Sequence, residues 1–87
     1  MELLDYKKKG DNNMNKERRN KILKVISDIG QIKEKLQEIL NEEEMVFDNM
    51  PENLQCSMRG EESEESIEYM NEAVDALDNA IEQLEEI

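Results

Sequence analysis

Apolar residues recur through the first half of the chain at Ile22, Val25, Ile29, Ile32, Leu36, Ile39 and Val46. The spacings are 3, 4, 3, 4, 3 and then 7, because Glu43 takes the intervening position. This is a heptad pattern with all but one of its a and d sites filled, and it predicts a long amphipathic helix from about residue 15 to 49. Ile26 and Leu40 widen the stripe by one position, which suits a bundle better than a bare two-stranded coil. Gly30 lies inside the run and costs about 1 kcal/mol relative to Ala, which the flanking pattern should override.

A second run follows at Ile67, Met70, Val74, Leu77, Ile81 and Leu84, spaced 3, 4, 3, 4 and 3. Ala73, Ala80 and Ile87 extend it. Two of these three are small, so another helix can approach closely. No Gly or Pro interrupts the run, and we expect helix from about residue 61 to 87. Ser63 is the expected N-cap, with glutamates in the first turn where the helix dipole favours them.

Between the two runs lie the chain's only Phe (Phe47), its only Pro (Pro51), its only Cys (Cys56) and one of its three Gly (Gly60). Pro51 should end the first helix near Asn49, since the residue before Pro avoids helical geometry. Pro also suits the first turn of a new helical segment, so Pro51–Gln55 reads as a short helical turn. The whole connection, residues 50–60, lets two long helices fold back on each other. Phe47, Met50 and Leu54 can cover the end of that hairpin. The fold class expected is all-α: an antiparallel helical hairpin with coiled-coil-like heptad packing. Its packing residues are Ile22, Val25, Ile29, Ile32, Leu36, Ile39, Met70, Val74, Leu77, Ile81 and Leu84. Because the stripes are wide, apolar surface is left over, and dimerisation into a four-helix bundle, or completion of the bundle by another protein, should follow.

Residues 1–13 show little periodicity and end in turn formers. They read as a disordered tail. They also admit another reading, as upstream sequence ahead of a translation start at Met14, because Lys9-Gly10-Asp11 can be encoded by a purine-rich ribosome-binding sequence.

Composition narrows the picture further. The chain has 87 residues, of which 37% are hydrophobic, 3% aromatic and 39% charged. A short chain buries a small share of its surface and commonly needs a disulfide, a metal or a partner. One Cys forms no internal disulfide, and with no His the zinc patterns that combine Cys and His are absent. Long regular helices, self-association or a partner protein remain. No apolar run approaches membrane-spanning length. The basic run Lys7-Lys8-Lys9 follows the apolar Leu3-Leu4 instead of preceding it, which is the wrong order for a signal peptide. With a lone thiol besides, the expected location is the cytoplasm.

The net charge of −12 is uneven. Residues 1–40 carry ten Lys/Arg and seven Asp/Glu, a net of +3; residues 41–87 carry one against sixteen, a net of −15. Such a chain should repel nucleic acid and anionic membrane and be attracted to basic surfaces. The second helix holds eleven Asp/Glu and no Lys or Arg from residue 61 onward. Like charges recur at i,i+4, as in Glu61/Glu65, Glu64/Glu68 and Asp78/Glu82, each costing a few tenths of a kcal/mol. In an antiparallel hairpin Arg18, Arg19, Lys21 and Lys24 should lie near Glu82, Glu85 and Glu86. The corner has only Arg59 against a crowd of carboxylates. That crowd reads in three ways: a solvated acidic surface, a docking face for a basic partner, or a divalent-cation site. The last lacks EF-hand spacing, and adjacent Glu on one helix do not converge on one ion.

Catalytic chemistry finds little support. There is no His to shuttle protons, no Glu-x-x-His pair for a di-iron bundle and no Gly-rich phosphate loop. Cys56 has an acidic neighbourhood, which blunts a nucleophilic thiol; we take it as a plain corner residue. No catalytic, cofactor-binding or metal-ligating residue is expected, and no cofactor. The basic cluster at residues 18–24 has no interleaved aromatics, so direct nucleic-acid binding is not expected either.

The stretch "FDNMPENLQCSMRGEESEESIEYMNEAVDALDNAIEQLEEI" resembles a group of small acidic proteins encoded by phages and prophages of low-GC Gram-positive bacteria. These share a basic helix, a corner of the form DNMPENLQ-x-S-x-RGE, and an acidic helix rich in Glu, Ala and Ile. The likeness runs from about Met14 to Ile87 and is strongest at Asp48–Gln55 and at Ser57 and Arg59–Glu61. It implies a mobile-element setting, in which small acidic proteins sometimes block a host protein by imitating the charge of nucleic acid. Two functions are therefore expected as alternatives. One is an acidic interaction protein that binds a basic protein surface through Asp48, Glu52, Arg59, Glu61, Glu62 and Glu65. The other is an assembly module acting through coiled-coil self-association as a homodimer.

Overall fold

A computed structural model describes residues 15–87. The tail-or-upstream reading of residues 1–13, and a start at Met14, lie outside the described residues. Three helices follow in order: α1 (Lys16–Asp48), α2 (Glu52–Gln55) and α3 (Met58–Glu85). The long helices α1 and α3 run antiparallel, and the molecule measures 66 × 16 × 13 Å.

The local signals act where the sequence places them at one end of the hairpin. Asn15 caps α1, its side-chain oxygen accepting from the Arg18 N–H at 2.9 Å. At the other end α1 stops at Asp48, and Pro51, with extended backbone, starts the single turn of α2. The Pro51 carbonyl accepts from the N–H groups of Leu54 and Gln55 at 2.9 and 3.0 Å. The Gln55 side chain then reaches back and donates to the Phe47 carbonyl at 2.9 Å, joining the Met50 N–H at the same acceptor. Phe47 and Met50 are half-buried against this corner, whereas Leu54 stays exposed.

Helix α3 begins earlier than residue 61, and Ser63 is not its cap. Ser57 is the N-cap: its hydroxyl accepts from the Gly60 N–H and donates to the Leu54 carbonyl. The corner is correspondingly tighter, and Gly60 sits in the first turn of α3. There it is buried against the backbone of α2. A Cβ on Gly60 would lie 2.2 Å from the Gln55 carbonyl oxygen and 2.5 Å from the Leu54 carbonyl oxygen. Only a residue without a Cβ lets α3 leave the corner in this direction. Gly30, by contrast, has nothing within 4 Å of the same position.

The seam between the long helices differs from the one periodicity suggests. In α1 the buried and half-buried positions include Arg19, Ile22, Ile26, Ile29, Lys33, Leu36, Leu40, Glu43 and Phe47. Ile22, Ile29 and Leu36 belong to it as expected. Val25, Ile32 and Ile39 do not: they are 45%, 55% and 54% exposed, and Val46 is 51% exposed. The row 26/33/40/47 takes their place, and Leu40 is the most deeply buried side chain, 1% exposed. The physical reason is rotational. The rows 25/32/39/46 and 26/33/40/47 lie about 100° apart on either side of the shared row 22/29/36/43, so a turn of α1 by about 50° exchanges one for the other, and the direction in which α3 leaves the corner selects between them. In α3 the seam is Gly60, Ser63, Ile67, Met70, Val74, Leu77, Ile81 and Leu84, all buried or half-buried, in agreement with the expected Met70, Val74, Leu77, Ile81 and Leu84.

Gly60→Ala should destabilise the hairpin by about 3 kcal/mol, since backbone must move to admit the methyl group. Gly30→Ala should stabilise it by about 1 kcal/mol through helix propensity alone. Leu40→Ala should cost about 3 kcal/mol as a core truncation. Urea titrations followed by far-UV circular dichroism rank the three; an unperturbed G60A would contradict the close approach.

Candidate functional site

Three polar groups interrupt the seam, and each has a partner. Near the corner, the buried Ser63 hydroxyl donates to the Glu43 carboxylate at 2.5 Å. This explains the missing apolar residue in the first heptad run. Midway, Lys33 Nζ lies 2.5 Å from Asp78 Oδ1. The hydrogen bond to Asp78, and then its charge, holds the Lys33 ammonium above the ordinary lysine value of 10.5. At the open end Arg19 donates to the Ile87 carbonyl at 3.0 Å. A cation there offsets the negative end of the α3 dipole, where Glu85 and Glu86 also stand. Lys24 turns to Asp28 in its own helix at 2.6 Å rather than to α3. Among the described residues no ion pair joins Arg18 or Lys21 to Glu82, Glu85 or Glu86. Arg19 and Glu85 do line one hollow at the open end, as expected of the basic start of α1.

The residues expected to bind a partner, Asp48, Glu52, Arg59, Glu61, Glu62 and Glu65, are all exposed. They do not form one surface. Asp48 borders a shallow hollow with Glu44, Phe47, Glu64 and Ile67. Glu61 and Glu65 border another with Glu64 and Glu68. Arg59 and Glu62 lie across the hairpin in a hollow with Glu43, Val46, Met50, Ser63 and Ser66. Glu52 lies apart on α2.

The two broad sides of the hairpin therefore differ. Three rows of α3 and its C-cap, 61/68/75/82, 64/71/78/85 and 65/72/79/86, carry ten of the eleven carboxylates from residue 61 onward. The rows 59/66/73/80/87 and 62/69/76/83 read Arg, Ser, Ala, Ala, Ile and Glu, Tyr, Ala, Gln, with one carboxylate between them. This second side also carries the exposed row Val25, Ile32, Ile39 and Val46 of α1, since Val46 shares a hollow with Arg59 and Ser66. One side is acidic; the other is apolar and close to neutral. The sequence pattern implies that apolar surface is left over, but it assigns this α1 row to the interior and so misplaces the exposed face. The signal that existed was the excess width of the stripe at Ile26 and Leu40.

Among the described residues no three His, Cys, Asp or Glu side chains are grouped to hold a metal ion, and no helix is long and apolar enough to cross a membrane. Cys56 is a free, exposed thiol. An apolar hollow lies at the open end between Ile22, Leu23, Ile26, Leu84 and Ile87. The chain matches no protein-family model, no curated protein and no solved structure.

The raised Lys33 value has a defined consequence for pH. Its contribution to stability is complete below 10.5, the unfolded value, and is lost as pH rises through the folded one. The melting-temperature difference between wild type and Lys33→Met should hold steady from neutral pH to about 10 and shrink above it. Thermal melts across that range test this; a gap that closes below pH 9 would be the contrary result.

Proposed function

We propose that this chain is a non-enzymatic acidic interaction protein of a mobile genetic element, acting in the cytoplasm on a basic surface of a host or phage protein. The surface imitated is that of nucleic acid, at the level of charge. The observation that carries this reading is the segregation of ten of the eleven carboxylates from residue 61 onward onto three adjacent helix rows that hold no Lys or Arg. A solvated face made only for solubility has no need of that segregation, and mixed signs would stabilise the helix better. A rigid row of carboxylates offers a basic groove repeated charges at fixed spacing, with little ordering cost on binding. Glu61, Glu65 and Asp48 lie on or beside this face; Arg59 and Glu62 belong to the opposite side.

The second reading is an assembly module that self-associates through coiled-coil packing into a homodimeric four-helix bundle. The observation favouring it is the exposed row Val25, Ile32, Ile39 and Val46. A two-helix layer whose buried hydrophobic side chains are Leu40 and Val74 gains much from a second layer. The two readings are compatible, because the acidic and apolar sides are distinct.

Charge-driven association is steered at long range and screened by salt. Binding of the full chain to a basic DNA-binding protein or a polyarginine peptide should weaken at least about tenfold between low and physiological salt. Glu61→Gln, Glu65→Gln and Glu68→Gln combined should weaken it further at low salt. Affinity that ignores both changes would remove the basis of the charge reading.

A further inference from the structure

We infer that the apolar side of the hairpin is the docking face for a second copy of this chain, and that the two copies meet through antiparallel α1 helices crossing at Ile32. The inference deepens the self-association reading above and rests on it; it adds the face, the direction and the register.

The face follows from exposure. Val25, Ile32, Ile39 and Val46 stand seven residues apart and are 45–55% exposed. They are β-branched, the type that packs well at one heptad row facing another helix. In a bundle a helix meets two neighbours about a quarter turn apart, and the row 25/32/39/46 lies on the flank of the α3-facing seam in that sense.

The occupant and direction follow from charge. The row outside the apolar one is Lys21, Asp28, Lys35 and Glu42. Set antiparallel against itself, it places Lys21 opposite Glu42, Asp28 opposite Lys35, and the same pairs again by symmetry. All four contacts are of opposite sign. Set parallel, every contact is of like sign. Set against the partner's α3 instead, the row would meet Glu62, Tyr69, Ala76 and Gln83, which answer almost none of its charges. Only a second α1, reversed, complements it. Asp28 already holds Lys24 at 2.6 Å and would gain a second cation.

Charge selects the register. The charge pairs match when residue numbers on the two copies sum to 63. The apolar row at 64 sets Val25 on Ile39 and Ile32 on itself, with Val46 opposite Arg18; an offset of 71 would pair all four apolar residues but would bring Lys35 against Lys35 and Asp28 against Glu42. Overlapping the helices from end to end, Lys16 against Asp48, also gives 64. These agree within one residue, about 1.5 Å of helix. The dyad then passes Ile32, next to Lys33 and hence level with Asp78 of α3. There α3 presents Ala73, Ala76 and Ala80, small enough for the two α3 helices to approach. The arrangement also sets the acidic corner of one copy, at Glu42 and Asp48, beside the basic start of the other, at Lys16 to Lys21. The corner thereby acquires counter-charge that its own chain does not supply.

The test uses the full chain with Cys56→Ser as background. Sedimentation equilibrium should give twice 10.2 kDa. Ile32→Cys should form an interchain disulfide efficiently under mild oxidation. Val25→Cys alone should not, but an equimolar mixture of Val25→Cys and Ile39→Cys chains should cross-link to each other. Lys21→Glu should raise the dimer dissociation constant by about fivefold or more, and Lys21→Glu with Glu42→Lys should restore it. Ile32→Asp should yield a helical monomer, since its side chain is exposed within the hairpin. A well-folded wild-type monomer at high concentration would overturn self-association as a whole. A dimer in which Val25→Cys cross-links to itself, or Ile32→Cys does not cross-link, would overturn the face and direction inferred here while leaving self-association standing.

Discussion

The hairpin depends on one close approach. Gly60 brings the first turn of α3 against the carbonyls of Leu54 and Gln55, where a Cβ would be 2.2–2.5 Å from backbone oxygen. That contact fixes the direction in which α3 leaves the corner. The direction fixes which face of α3 meets α1, and hence which of two neighbouring rows of α1 is buried. Pro51, the Ser57 cap and the Gln55 side chain on the Phe47 carbonyl hold the same corner from other sides. The unusual residues of the chain gather there because a reversal between two stiff rods is the place where ordinary helix formers fail.

Along the seam the apolar contacts are permissive about register, because one heptad looks much like the next. The polar partners are not. Glu43 with Ser63, Lys33 with Asp78, and Arg19 with the Ile87 carbonyl lie at the corner, the middle and the open end. A slip by one heptad would strand each of these groups in or near the seam without its partner, which costs more than the pairs themselves contribute. We read them as register devices rather than as sources of stability.

The charge pattern separates two tasks on one thin molecule. Helix α3 turns its carboxylates to one broad side, and the other side is left for small and apolar residues. A single helix pair with mixed faces would serve either task poorly: carboxylates beside an apolar contact are desolvated at a cost, and apolar rows beside a charged docking face weaken its field. The separation would let the proposed association with a like chain and the proposed attraction to a basic surface coexist in 87 residues.

The helices, the corner and the acidic second half are legible in the sequence, because periodicity, Pro51 and charge are local properties. The members of the α3 seam are legible for the same reason: from Ile67 to Leu84 its large aliphatic residues fall on just two adjacent rows, Ile67/Val74/Ile81 and Met70/Leu77/Leu84. In α1 two rows compete. The row Val25, Ile32, Ile39, Val46 is wholly apolar, whereas the row Ile26, Lys33, Leu40, Phe47 is interrupted by a lysine, and pattern alone favours the first. The hairpin buries the second. Periodicity reports how hydrophobic a row is, not what faces it. Which row faces α3 was decided by the backbone geometry at Gly60 and by the pairing of Lys33 with Asp78, two contacts between segments far apart in the chain. The sequence by itself thus determined the elements and their charge. The tertiary structure decided which apolar row is interior and which stays exposed, because that choice is a rotation of one rigid helix set at a distant corner.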